Sequence, residues 1–385
     1  MISTTLLCVS LSTLLTSMFL TPSARADSGP QSSPVPPSYA VSFERGEEVP
    51  GVDAPAIVLP FQCVEDGTVY FNQPKPPDAA APFTPSLELS SVSPSREVHT
   101  FLLSHIPDLF DVQERDFYAS DSHVVFLVKA ARENKQAMKT LKAPDGAEAH
   151  GSENNAEHRP YILVFDREGR YEEAVEVDDA FAIIKISEFP SGSFLAYGYE
   201  RSDHSPKLAM LKDDGKLIKF LEIPSGAAPQ SAFIPAPSDR GTSAARIASA
   251  QFVRSERNIV VVQNKTDFPL LEVSEAGTVR VIRPKLPEGV RVDTLIPSDG
   301  NLYARVNESG IGLIYELNPQ DGEVVGRFEI ADGRQAANVA CVHDRKFLSF
   351  DSGHGKLIQL FGKLEPSAAS PKPSTSRPVV EVHNP

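Results

Sequence analysis

One nine-residue unit recurs six times along the chain, a polar turn followed by an apolar, strand-forming run. Aligned without gaps, the copies read CVEDGTVYF from Cys63, YASDSHVVF from Tyr118, EFPSGSFLA from Glu188, VRSERNIVV from Val253, IPSDGNLYA from Ile296 and CVHDRKFLS from Cys341. They begin 55, 70, 65, 43 and 45 residues apart. Between them lie longer hairpin-like segments: YILVFDREGRYEEAVEV from Tyr161, KLAMLKDDGKLIKFLEI from Lys207, LLEVSEAGTVRVIRP from Leu270 and LIYELNPQDGEVVGRFEI from Leu313. A weaker relative, LELSSVSPSREVHTFLL, starts at Leu87. Alternating apolar and polar residues mark half-buried strands, and Gly or Asp at the turn supplies the left-handed backbone that tight hairpins use.

A unit of two hairpins makes four strands, and the shortest intervals match the length of one propeller blade. The fold class expected is therefore all-β: a six-bladed β-propeller, with an N-terminal strand closing the last blade. The last copy lacks an outer strand after Lys356–Gly362 (KLIQLFG), and YAVSFE at Tyr39–Glu44 alternates correctly to supply it. Closure of that kind removes an open sheet edge that would otherwise invite aggregation. With hydrophobic residues at 41% the chain can bury a sizeable core. A short basic helix within 131–150 is the one helical expectation.

The termini point to export. Leu6–Leu20 is an apolar run broken by hydroxyls, followed by Ala24-Arg25-Ala26, the pattern of a secretory signal peptide cleaved after Ala26. That run is too short and too hydroxylated to span a bilayer. Residues 27–38 and 364–385 are rich in Pro and Ser and are read as disordered lead-in and tail. The propeller is placed at 39–363, with a 131–160 insertion in its second blade. A formal charge of −14 argues against nucleic acid and anionic membrane surfaces as partners.

The hairpin YILVFDREGRYEEAVEV resembles the outer hairpin of bacterial six-bladed propellers of the NHL/TolB-like type. The resemblance spans roughly 57–363 as architecture. It implies a disc-shaped scaffold and no particular activity, since propellers host enzymes and binders alike. With no tryptophan, the chain departs from WD repeats and from the sialidase and quinoprotein propellers.

In such a blade the short a–b and c–d turns share one face and the b–c and d–a loops the other. The insertions Pro74–Pro85, Ala131–Pro160 and Pro224–Ala245 therefore crowd one rim, where Phe83, Phe233 and Ile234 are the apolar residues available to a partner. His150, His158 and Arg159 are read as solvated loop residues, because a spacing of eight between two histidines fits no standard metal site. Acids recur in the a–b turns at Asp66, Asp121, Glu256, Asp299 and Asp344, and are read as caps of their own turns. Glu65, Glu188 and His343 are the polar inner-strand candidates for a tunnel site, although they occupy different repeat positions. No HExxH, G-x-S-x-G, Walker or EF-hand spacing is present. No catalytic residue, metal ligand or cofactor is assigned.

Cys63 and Cys341 fall on the same repeat position of the first and last blades, neighbours across the ring closure. Export permits a disulfide between them, but packed sheets about 10 Å apart would hold the Cα atoms too far apart unless the inner strands converge. The functional expectation is a secreted or periplasmic, monomeric, non-catalytic scaffold. Its loop-rich face would bind a protein, peptide or glycan. The alternative is a metal-dependent hydrolase or lactonase acting at the tunnel.

Overall fold

The computed structural model describes residues 36–53, 58–74, 87–132, 157–203, 205–224, 250–255, 257–263, 269–288, 290–296, 298, 301–308, 311–330, 339–351 and 356–366. The signal-peptide, lead-in and tail expectations therefore lie outside the described residues, apart from 36–38 and 364–366. So do most of the three insertions, with Phe83, His150, Phe233 and Ile234, and the turn acids Glu256 and Asp299.

The described chain is built of strands. β1 is Ser38–Asp53, and β2 (Val58–Cys63), β3 (Val69–Pro74), β4 (Leu87–Val92) and β5 (Val98–Phe101) follow it. The next group is β6 (Leu109–Ala119), β7 (His123–Arg132), β8 (His158–Asp166) and β9 (Tyr171–Glu176). Then come β10 (Ala182–Glu188), β11 (Phe194–Tyr199), β12 (Pro206–Leu211) and β13 (Leu217–Phe220). A fourth group is β14 (Ala250–Ser255), β15 (Asn258–Gln263), β16 (Leu270–Val273) and β17 (Val279–Ile282). The chain continues through β18 (Arg291–Ile296), β19 (Leu302–Glu308), β20 (Ile311–Leu317) and β21 (Val324–Ile330). It ends in β22 (Val339–His343), β23 (Lys346–Asp351) and β24 (Lys356–Pro366). One short 3-10 turn, Leu103–His105, is the helical structure among the described residues, and no described helix is long and apolar enough to cross a membrane.

β2–β5, β6–β9, β10–β13 and β14–β17 each form a four-stranded antiparallel meander. The remaining strands form one eight-stranded sheet in the order β18-β19-β20-β21-β1-β24-β23-β22. Where the repeat predicts two sheets, one continuous sheet stands, because β1 hydrogen-bonds on both of its edges. Ser38–Val41 runs parallel to Arg327–Ile330 of β21, while Tyr39–Arg45 pairs antiparallel with Pro366–Leu360 of β24. The arrangement is propeller-like. The first strands β2, β6, β10, β14, β18 and β22 lie against one another in that order, and β22 lies against β2.

The core sits between successive sheets. Phe101 of β5 packs on Phe126 and Phe165 of the next sheet at 6.1 Å, and Phe61 and Phe71 meet Phe350 at 5.9 and 5.7 Å. All but Phe61 are at most 2% exposed, and burying each such ring is worth about 2–3 kcal/mol. The hairpin glycines do more than turn the chain. Gly169 has φ +86° and faces the previous sheet so closely that a Cβ would stand 2.8 Å from the Thr100 carbonyl oxygen. Only a residue without a side chain permits that contact.

β7 runs to Arg132 and β8 begins at His158, so both trim the 131–160 insertion expected from sequence. His158 and Arg159 are accordingly strand residues and not part of a loop. His158 Nε2 lies 2.6 Å from Asp111 Oδ2, and Arg159 donates to Glu176 and Glu157. Cys63 and Cys341 face each other across β2 and β22, with Cα atoms 5.7 Å apart and their sulfurs joined. The convergence of first strands near the ring centre removes the 10 Å obstacle that parallel packed sheets would impose.

Candidate functional site

Most of the inner strands are interrupted by register shifts, whereas β14 pairs continuously. Register shifts fall between Glu114 and Asp116 in β6, between Ile183 and Lys185 in β10, between Val292 and Thr294 in β18 and between Val339 and Cys341 in β22. Each leaves one residue without a cross-strand partner, the mark of a β-bulge, and a bulge re-aims the side chains around it. In β6 the partners of Glu114 and Asp116 are the adjacent residues Val128 and Leu127. The two carboxylates therefore leave opposite faces of the strand, although they are two residues apart.

Glu114 turns toward the preceding sheet, where Asn72 Nδ2 donates to its Oε1 at 3.2 Å. Burial pushes its carboxyl up to about 7, with the charge of Asp116 adding to the shift and Asn72 and Lys185 opposing it. Asp116 turns toward the following sheet. Lys185 Nζ donates to its Oδ1 at 2.8 Å and the Ile186 amide to its Oδ2 at 3.0 Å. Both side chains of this ion pair are more than nine-tenths buried. Burial raises the Asp116 carboxyl, against the pull of Lys185 and the amides.

Other inner-ring groups are tied in the same way. Gln62 Nε2 donates to the Phe117 carbonyl and its Oε1 accepts from the Ala119 amide, both at 2.7 Å, so one side chain extends β6 as a strand would. Glu188, 5% exposed, accepts from Ser120 Oγ at 2.7 Å and from His123 Nδ1 at 3.0 Å. Asp121 takes the Glu65 amide at 3.0 Å and forms an ion pair with Arg254. It thereby links the turn after β6 to the turn after β2 and to β14, two sheets further on.

Above these ties, the turns after β6 and β10 and the start of β15 enclose a cleft of about 120 Å³. Its floor is Tyr118, Phe189 and Ile259, each at most 3% exposed. Around it stand two arginines, Arg254 and Arg257, and two carboxylates, Asp121 and Glu188, with Ser120, Ser122, Pro190 and Asn258. Burial pushes the Tyr118 phenol far up, so it remains a neutral hydroxyl.

The residues singled out from sequence separate. Glu188 joins Ser120 and His123 and not Glu65 or His343; Glu65 is exposed on its turn. Asp66 does cap its own turn, accepting from the Thr68 amide at 2.9 Å, and also pairs with Arg167. Asp121, at the same repeat position, bonds across the ring instead, which corrects the turn-cap reading for that residue. Asp344 sits at φ +48° with His343 Nε2 3.7 Å away. Gln62, Asn72, Glu114, Asp116, Ser120, His123, Lys185 and Arg254 were not anticipated. Lys185 within the apolar run AIIKIS was the one local signal. Among the described residues, no group of three or more His, Cys, Asp or Glu side chains is placed to hold a metal ion.

No protein-family profile matches the chain, and no curated protein matches it. Among solved structures, virginiamycin B lyase from Staphylococcus aureus is similar at a TM-score of 0.40 and 12% identity, over 83% of this chain and 99% of that one. A luciferin-regenerating enzyme is similar at 0.38 and 12%, over 84% and 95%. Glutaminyl cyclase from Myxococcus xanthus is similar at 0.31 and 10%, over 86% and 99%. Likeness at this level carries neither an activity nor the description of the fold, which rests on the sheet topology.

Proposed function

We propose that the chain is an exported six-bladed β-propeller that binds a protein, peptide or glycan without turning it over. In this reading the eight-stranded sheet is two blades fused through β1. What supports the count is the succession of six first strands. Residues 1–26 are its signal peptide, cleaved after Ala26. The propeller takes in Ser38 and Leu364–Pro366 as well as 39–363, since Ser38 pairs with Arg327 and Leu364–Pro366 with Val41–Tyr39. An oxidising compartment keeps Cys63 and Cys341 bonded.

The observation that carries the binding reading is how the inner-ring charges are used. Asp116, Lys185, Glu188, Asp121 and Arg254 each make their hydrogen bonds or ion pairs to a different sheet. A general base or nucleophile has to be free to meet a substrate. These groups are committed to tying one sheet to another. A rigid disc of that kind presents loops to a partner at little ordering cost.

The test is deletion of 133–156, the insertion on the loop-rich face. Cross-linked partners recovered by residues 27–385 should be lost on deletion while the melting temperature is unchanged. Identical recovery would overturn the assignment of that face. One observation favours a second reading. A carboxyl that burial pushes up to about 7, as at Glu114, suits general acid–base catalysis. Hydrolysis of a lactone or ester by the wild type, abolished in Glu114→Gln, would establish the enzyme instead.

A further inference from the structure

We propose that the cleft over Tyr118, Phe189 and Ile259 is a second binding site, on the face opposite the insertions, for the free C-terminal carboxylate of a peptide ending in an apolar residue. It stands apart from the loop-face reading, because it uses only residues of the short turns and adjoining strands.

The chemistry follows from the two arginines. Arg254 is already bound by a carboxylate: Asp121, reaching from another sheet, occupies its guanidinium. That guanidinium is satisfied internally by a side chain about one-third exposed, and Glu188, the other carboxylate of the lining, is held by Ser120 and His123, which leaves Arg257 as the exposed cation of the cleft. Arg257, in the turn that follows β14, also stands at the cleft and is 79% exposed. Its ion-pair contact with Glu275 is long, at 3.6 Å. A planar guanidinium with donors to spare recognises a carboxylate bidentately and tightly.

Below the arginines the floor is apolar and buried, and about 120 Å³ is enough for a single side chain. Ser122 on the cleft wall supplies a hydroxyl that suits a peptide amide. A carboxylate next to one apolar group, with a polar chain leading away, matches these three features together. A glycan lacks the first two. An amidated or internal peptide segment lacks the carboxylate.

The test uses two pools of fluorescein-labelled pentapeptides with Leu, Ile, Met or Phe at the last position. One pool ends in a free carboxylate and the other in a carboxamide. Fluorescence anisotropy with residues 27–385 should give at least tenfold tighter binding for the carboxylate pool. Arg257→Ala, at an exposed position, should weaken that pool by about tenfold, leave the melting temperature unchanged and not affect the amide pool. Equal affinity for the two pools, no binding by either up to 1 mM, or a preference that survives in Arg257→Ala would each overturn the proposal. Failure here leaves the loop-face partner untouched, since its capture depends on 133–156.

Discussion

Replacing Glu114 by Gln should remove a pH dependence that the wild-type fold carries. The folded-state carboxyl is raised from 4.5 to about 7, chiefly by burial. A raised carboxyl means that the native state holds its proton more tightly than the unfolded chain does. The contribution of Glu114 to stability is therefore full below pH 4.5 and is lost as pH rises through 7. At about 1.4 kcal/mol per unit, the decline amounts to roughly 3 kcal/mol. Gln keeps an oxygen for Asn72 Nδ2 and carries no charge, so the variant avoids that cost at high pH. Urea unfolding at pH 5 and pH 8 measures it. The difference between variant and wild type should move in favour of the variant by about 2–3 kcal/mol between the two pH values. Groups remote from Glu114 contribute equally in both proteins and cancel. Parallel stability curves would refute the reasoning, because they would mean that Glu114 is solvated in the folded state.

Two further outcomes follow from ring closure and blade contact. The Cys63–Cys341 bond closes a loop of 278 residues, for which chain entropy alone gives about 5–6 kcal/mol. Cys63→Ala with Cys341→Ala should lower the unfolding free energy by a large part of that, and dithiothreitol should have no further effect on the double variant. Gly169→Ala should cost about 1–3 kcal/mol, since it combines a left-handed backbone with a close approach to Thr100; a thermal melt unchanged from wild type would contradict the close contact.

Much of the strand order was legible in the chain because its signals are local. Period-two alternation and a glycine at the turn, as in YILVFDREGRYEEAV, specify a hairpin without reference to anything distant, and Gly169 duly turns β8 into β9. The fusion of sheets through β1 was not legible. Pairing with β24 follows from alternation, whereas the parallel pairing with β21 depends on where the ring brings that edge.

The functional groups were harder still to foresee, and Asp66 and Asp121 show why. They share one repeat position and one turn chemistry, yet one caps its own turn and the other reaches Arg254 two sheets away. Which of these happens is decided by the side chains on other sheets, not by neighbours in sequence. Glu114 and Asp116 would share a face in a regular strand. The bulge at Arg115 puts them on opposite faces, and nothing in LFDVQERDFYA announces that insertion.

The most direct test of the central claim, that the inner-ring charges bind blade to blade, is a double-mutant cycle on Asp116 and Lys185. Unfolding free energies would be measured for Asp116→Asn, Lys185→Met and the double variant. The account predicts that either single change leaves a buried group unpaired and costs about 3–5 kcal/mol, and that the double variant recovers most of it. Additive losses, with no coupling between the two positions, would contradict the claim.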